Sequence, residues 1–177
     1  MSTPPFRVPH ETEAQSVIHT CWPAAADLWE EDLEPARDEF AAFLAAANAP
    51  LIIYAATAEA EADARRRLTG SLKVIREPYG DVWARDTGPV FVAAEGGLRA
   101  VRMKFNGWGG KYALAGDDTI GARIAAEAGA EVLSADFTCE GGALEFDGQG
   151  TLIATRQCVL NANRNRAFTE RDFEARA

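Results

Sequence analysis

At 177 residues, with 47% hydrophobic and 25% charged side chains, the chain is a folded one, long enough for one domain with a proper core or for a portion of something larger. A formal net charge of -9 argues against nucleic acid or an anionic membrane surface as partner and is compatible with a cationic one. Cys21, Cys139 and Cys158 form neither a CxxC motif nor a disulfide framework, which points to a reducing, cytoplasmic setting, and His10 and His19 are too few soft ligands for zinc.

In chain order, residues 1–15 carry Pro4, Pro5 and Pro9 and no apolar core, so they do not read as a signal peptide. Residues 16–22 form a strand candidate ended by Pro23. His19 and Cys21 share a face there, but same-face strand neighbours lie beyond hydrogen-bond reach, so they make a poor nucleophile–base pair. Leu33, Ala36, Phe40, Phe43, Leu44 and Ala47 recur at helical spacing and predict a helix over 33–47. The apolar stretch 41–58 is broken by Asn48 and Pro50. It reads as the end of that helix and a buried strand at 51–54, not as a membrane span. A second helix, 58–68, is acidic first and basic last, which complements its dipole; Arg65, Arg66 and Arg67 read as a solvated face.

The strand 72–75 leads into the stretch around which the chain is organised, Tyr79-Gly80-Asp81-Val82-Trp83-Ala84-Arg85-Asp86-Thr87-Gly88-Pro89. A loop between buried strands holds polar groups at the edge of a core. Asp81 and Asp86 beside Trp83 suit a flat cation such as a guanidinium, through paired hydrogen bonds and stacking. A plainer reading stays open: the aspartates cap their own backbone and Arg85 makes a local ion pair. Strands 90–94 and 98–105 flank Glu95-Gly96-Gly97 as a hairpin, with Val101, Met103 and Phe105 on one buried face. Three glycines around Trp108 in Asn106-Gly107-Trp108-Gly109-Gly110 bring backbone close to something, without the order of a phosphate loop.

Asp117 or Asp118 is expected to cap a helix running to about Ala128, followed by a short strand at 132–133. Glu140-Gly141-Gly142 feeds a second hairpin, 143–146 and 151–155, around Asp147-Gly148-Gln149-Gly150. The alternation suggests an α/β chain of repeated ββαβ modules. Thr169 with Asp172 resembles a helix start, yet only five residues follow Asp172, so the end reads as an interruption in mid-fold.

Four blocks carry a resemblance. Trp83-Ala84-Arg85-Asp86-Thr87-Gly88-Pro89, Phe105-Asn106-Gly107-Trp108-Gly109-Gly110, Glu140-Gly141-Gly142 with Asp147-Gly148-Gln149-Gly150-Thr151, and Cys158-Val159-Leu160-Asn161-Ala162-Asn163-Arg164-Asn165 stand in the order seen in agmatine deiminases. Those enzymes group with the bacterial peptidyl-arginine deiminase-like proteins of the guanidine-modifying pentein superfamily. The resemblance implies a five-bladed αβ-propeller of ββαβ units and a reaction without metal or organic cofactor. A cysteine thiolate attacks the guanidinium carbon, a histidine protonates the departing ammonia, and water releases a ureido product; agmatine would give N-carbamoylputrescine, on a route to putrescine.

The resemblance also implies roles. Asp86 would hold the guanidinium nitrogens, and Glu140 would orient the catalytic histidine. Trp83 would line the pocket with Asp81 behind it, and the loop of Asn106 and Trp108 would shape the channel wall. The family's Gly-His-x-Asp block and its nucleophilic cysteine fall after the Asn-x-Asn-Arg-Asn stretch, beyond this sequence. Cys139 and Cys158 match neither position and read as small buried residues. Residues 1–177 are thus expected to be the N-terminal portion of a single pentein-type domain, about half of the propeller. Such a half is inactive alone, and it is prone to self-association through uncovered edges or awaits its C-terminal half. The alternatives are a non-catalytic module that binds guanidinium compounds or assembles with another chain, or a deiminase of free or peptidyl arginine.

Overall fold

The computed structural model describes residues 6–47 and 49–176; Pro4, Pro5 and Asn48, used in the sequence reading, lie outside the described residues. In chain order the main elements are β1 (Phe6–Arg7), β2 (Ile18–Cys21), α1 (Leu33–Ala46), β3 (Leu51–Ala55), α2 (Ala58–Arg67), β4 (Leu72–Arg76), β5 (Val90–Ala94), β6 (Gly97–Lys104), α3 (Ile120–Glu127), β7 (Glu131–Thr138), β8 (Leu144–Phe146) and β9 (Leu152–Ala154). The fold is α/β. It divides into two compact units: Ala14–Ala84 with Leu114–Gly116, and Met1–Glu13, Arg85–Ala113 and Asp117–Ala177. Among the described residues no helix is long and apolar enough to cross a membrane.

The first unit is βαβαβ. Strands β2, β3 and β4 pair in parallel in that order, joined by α1 and α2. Leu51, Ile53 and Ala55 alternate along β3 toward a core of Trp22, Leu44, Ala60, Ala64 and Val74. The helical spacing that predicts α1 places Phe43 in its apolar stripe, yet Phe43 is 67% exposed. The side chains buried at that face are Leu44 and, unexpectedly, Arg37, four residues after Leu33 and three before Phe40. Arg37 donates to the Pro23 carbonyl and, through Nη2, to Glu59 at 2.9 Å.

Arg37 is tolerated there because Asp63 of α2 lies buried opposite, 3.6 Å from its Nε. Asp63 also accepts from the Trp22 indole at 3.1 Å and from Arg67 Nε at 2.9 and 3.0 Å, and pairs with Arg66. The arginine run of α2 is therefore not a merely solvated face: Arg67 is 15% exposed and also pairs with Glu34 and Asp38. Beyond the carboxyl ends of β2 and β3, the buried Tyr79 hydroxyl donates to the carbonyls of Trp22 and Tyr54.

The second unit holds a four-stranded sheet in the order β1–β5–β6–β7, antiparallel except for the β6–β7 pair. Strands β5 and β6, helix α3 and strand β7 form one complete ββαβ succession. Hairpin β8–β9 forms a separate two-stranded sheet. The sheet is covered on both faces, not one. Ala100 packs with Ala125 and Ala130 under α3, while Met103, Ala135 and Phe137 pack with Leu144, Phe146 and Phe173 on the other side. Strand β7 is longer than the two residues read from sequence, and Thr119, not Asp117 or Asp118, precedes α3, with no side-chain cap. Strand β1, within the segment read as lacking a core, pairs Phe6 with Ala94 and Arg7 with Ala93. At the C-terminus Thr169 and Asp172 form the expected reciprocal cap.

Candidate functional site

Asp86 sits in a single helical turn, Ala84–Thr87, stopped by Gly88 and Pro89 before β5 begins. It is half-buried, and each carboxylate oxygen accepts one neutral donor. Oδ1 takes the Gly142 N–H and Oδ2 takes the Trp108 indole N–H, both at 3.1 Å. Among the described residues no arginine, lysine or histidine pairs with it. The diglycine exists for close approach. A Cβ at Gly142 would lie 2.1 Å from Asp86 Oδ1, and one at Gly141 would lie 2.4 Å from the Arg85 carbonyl.

Trp108 reaches Asp86 from a left-handed turn. Gly107, Trp108, Gly109 and Gly110 all have positive φ, at 71°, 55°, 80° and 82°. The Gly110 N–H closes the turn onto the Asn106 carbonyl at 2.9 Å. Glycine adopts this hand freely, but Trp108 does so at a cost of about 1–2 kcal/mol. The strain is held by the Asn106 side chain, which accepts the Gly109 N–H, and by edge-on packing of Phe105 against the indole. A Cβ at Gly107 would fall 2.0 Å from the Tyr112 carbonyl, so that position admits glycine alone.

Residues 161–165 tie these pieces to Glu140. Asn106 Nδ2 donates to the Asn163 carbonyl at 2.9 Å. Arg164 Nε donates to both oxygens of Glu140, at 2.8 and 2.9 Å. Asn165 clamps the end of β7, accepting from the Thr138 N–H at 2.8 Å and donating to its carbonyl at 2.7 Å. Glu140 is 3% exposed and stands two residues before Gly142, whose N–H holds Asp86. Asp86, Trp108, Asn106, Asn163, Arg164, Glu140 and Gly142 thus form a closed ring of hydrogen bonds and short chain links. Four stretches distant in sequence meet in it.

Asp86, Glu140, Asn106 and Trp108 are therefore brought together within one unit. Asp81 and Trp83 belong to the other unit, on the segment that leaves the carboxyl end of β4, the end at which parallel sheets carry ligand loops. There Asp81 Oδ2 accepts the Trp83 indole N–H at 3.0 Å and Oδ1 accepts the Val82 N–H at 2.7 Å. Trp83 is thereby fixed in orientation while remaining 53% exposed. Arg85 makes no local pair; it reaches Glu11 at 2.5 Å and Glu145 at 3.8 Å. Sequence reasoning missed Arg164 as a partner of Glu140, although it lies inside one of the quoted blocks.

The cysteines differ from one another. Cys139 is buried, and burial, with the Glu140 charge beside it, pushes its thiol up to about 12. Cys21 is wholly buried, whereas Cys158 is only half-buried, contrary to its reading as a core residue. No group of three or more histidine, cysteine or acidic side chains among the described residues is placed to hold a metal ion.

A sequence profile of the Porphyromonas-type peptidyl-arginine deiminase family matches residues 7–177. The agmatine deiminase of Pseudomonas aeruginosa (strain LESB58) is 36% identical over 179 residues, covering 96% of this chain and 48% of its own length. That of Stutzerimonas stutzeri is 37% identical over 96% of this chain and 49% of its own length. Among solved structures, the agmatine deiminase of Enterococcus faecalis superimposes with a TM-score of 0.88 at 29% identity, over 97% of this chain and 49% of that one. The chain spans about half the length of the curated relatives it matches.

Proposed function

This chain belongs to the Porphyromonas-type peptidyl-arginine deiminase family, and from that premise we propose that the complete protein deiminates a guanidine by hydrolysis. Agmatine is the first choice of substrate, which would give N-carbamoylputrescine and ammonia. Its support is the set of relatives bearing that name at 36% and 37% identity. The ββαβ succession of β5, β6, α3 and β7 supports reading the fold as part of an αβ-propeller. The acidic balance and reduced cysteines support a small cationic partner in the cytoplasm.

The observation that carries the reading is the state of Asp86. A half-buried carboxylate held by two neutral N–H donors has no counter-charge among the described residues and keeps its outer lone pairs, which fit the paired N–H groups of a guanidinium. Holding the flat cation in one orientation presents its carbon to a nucleophile. A thiolate would add to that carbon and the C–N bond to one terminal nitrogen would break. Ammonia would leave with a proton from a histidine that Glu140 orients. Water would then cleave the C–S bond, giving the ureido product and restoring the thiol.

Burial and the raised thiol of Cys139 support assigning the nucleophile to a residue other than this one. Asn106 and Trp108 shape the surroundings of Asp86. Trp83, pinned by Asp81, offers an aromatic face to a flat cation. Asp86→Asn in the complete protein is expected to lower agmatine turnover by about a thousandfold or more while changing stability by less than about 1 kcal/mol. Ammonia release at the parent rate would remove Asp86 from the site.

A further inference from the structure

We propose that Arg164 is a positioning residue that fixes Glu140 and cancels its charge, so that Asp86 is left to meet the cationic substrate. The inference rests on the guanidine reading above. Its basis is that the two carboxylates of the ring are satisfied in opposite ways. Glu140, 3% exposed, is bridged by one Nε–H to both of its oxygens, from a side chain that is itself 12% exposed. A carboxylate so deep requires a counter-charge, and among the described residues Arg164 is the partner that supplies one. Asp86 receives only an indole and a backbone N–H.

Arg164 is itself framed. Its backbone N–H and that of Asn165 both close onto the Asn161 carbonyl, at 2.9 and 3.0 Å. The amide of Asn165 then fastens the segment to Thr138 at the end of β7. On the other side lies the left-handed turn: a Cβ at Gly109 would come within 3.6 Å of Arg164 Nη1 and 3.1 Å of the Asn163 Cβ. The guanidinium is therefore confined between the turn that carries Trp108 and the carboxylate of Glu140. Lysine would keep the charge but cannot place an N–H at the Nε position, so it separates charge from geometry.

Steady-state deimination of agmatine by the complete protein carrying Arg164→Lys tests this. The KM is expected to stay within about threefold of the parent, while kcat falls by about tenfold to a hundredfold. A paired variant, Arg164→Gln with Glu140→Gln, removes both charges at once. It is expected to keep its KM and lose kcat, because the pair it deletes is neutral as a whole. A role limited to holding the fold would lower the thermal midpoint and leave kcat per folded molecule unchanged; that result, or a loss confined to KM, overturns the proposal. A parent protein that turns over neither agmatine, free arginine nor a peptidyl arginine overturns the guanidine reading and this role together. Normal parent turnover with unaltered kcat in Arg164→Lys overturns this role alone.

Discussion

Each of the two units encloses an aspartate that the fold cares about, and the company they keep is opposite in kind. Asp63, 1% exposed, is surrounded by Arg37, Arg66, Arg67 and the Trp22 indole. Burial pushes its carboxyl up, but the Arg67 hydrogen bond, the Arg37 charge and the Trp22 bond outweigh it and hold it below the usual carboxylate range. Asp86 has no cation of its own among the described residues. The first aspartate is spent on joining α1, α2 and the Trp22 that follows β2. The second is built into place by neutral donors and left with charge to offer. The counter-ions of Asp63 are internal and tie its own unit together, whereas Asp86, with none among the described residues, is a place for a cationic ligand.

The sharpest way to break this contrast is Asp63→Ala. It removes the buried carboxylate shared by Arg37, Arg66, Arg67 and the Trp22 indole, leaving Arg37 to Glu59 and Glu34 alone, and is expected to cost about 3–5 kcal/mol in denaturant unfolding. A loss under about 1 kcal/mol would mean that the network is ornamental. The same carboxylate sets an acid limb. Its folded pKa lies below the unfolded value, so its stabilisation is complete above the unfolded carboxylate range and fades as pH falls through the lower, folded value. Asp63→Asn should therefore flatten the loss of thermal midpoint in that acid window and leave the slope between neutral and mildly alkaline pH unchanged.

Gly142→Ala sharpens the other side of the comparison. The added methyl would fall on Asp86 Oδ1, so agmatine binding by the complete protein should weaken by about 1–3 kcal/mol. Gly142 is exposed, so the thermal midpoint should barely move. Equal losses in binding and stability would show that Asp86 is structural after all. The smallest effect is expected from Trp108→Phe, which removes one neutral donor from Asp86 and should cost about 0.5–1.5 kcal/mol in agmatine binding.

Much of the scaffold could be read along the chain. The strand at 90–94 has the bounds expected of it, β3 and β4 differ from expectation by one residue each, and the Thr169–Asp172 cap follows from two residues at the right spacing. These features are local, and periodicity or capping encodes them directly. What escaped was decided by partners far away. Arg37 breaks the apolar stripe of α1 because Asp63 waits 26 positions later. Two-residue β1 has no pattern of its own and exists because β5 offers an open flank.

At the site, the resemblance picked out Asp86 and Glu140, and the three glycines announced a tight backbone at 107–110. Nothing in the sequence indicated that a tryptophan would take the left-handed conformation, since propensity argues against it. The Asn106 bond to the Asn163 carbonyl was equally hidden, because side-chain-to-backbone bonds across 57 residues leave no periodic trace.

The clamp of Asn165 on Thr138 has a further consequence. Strand β7 is the outermost of its sheet, and a bare border of this sort invites a foreign polypeptide to add itself as the next rung. Here one carboxamide imitates that newcomer, satisfying the donor and the acceptor that it would need. Accretion at this corner would first have to evict the amide, and with it the segment that carries Arg164.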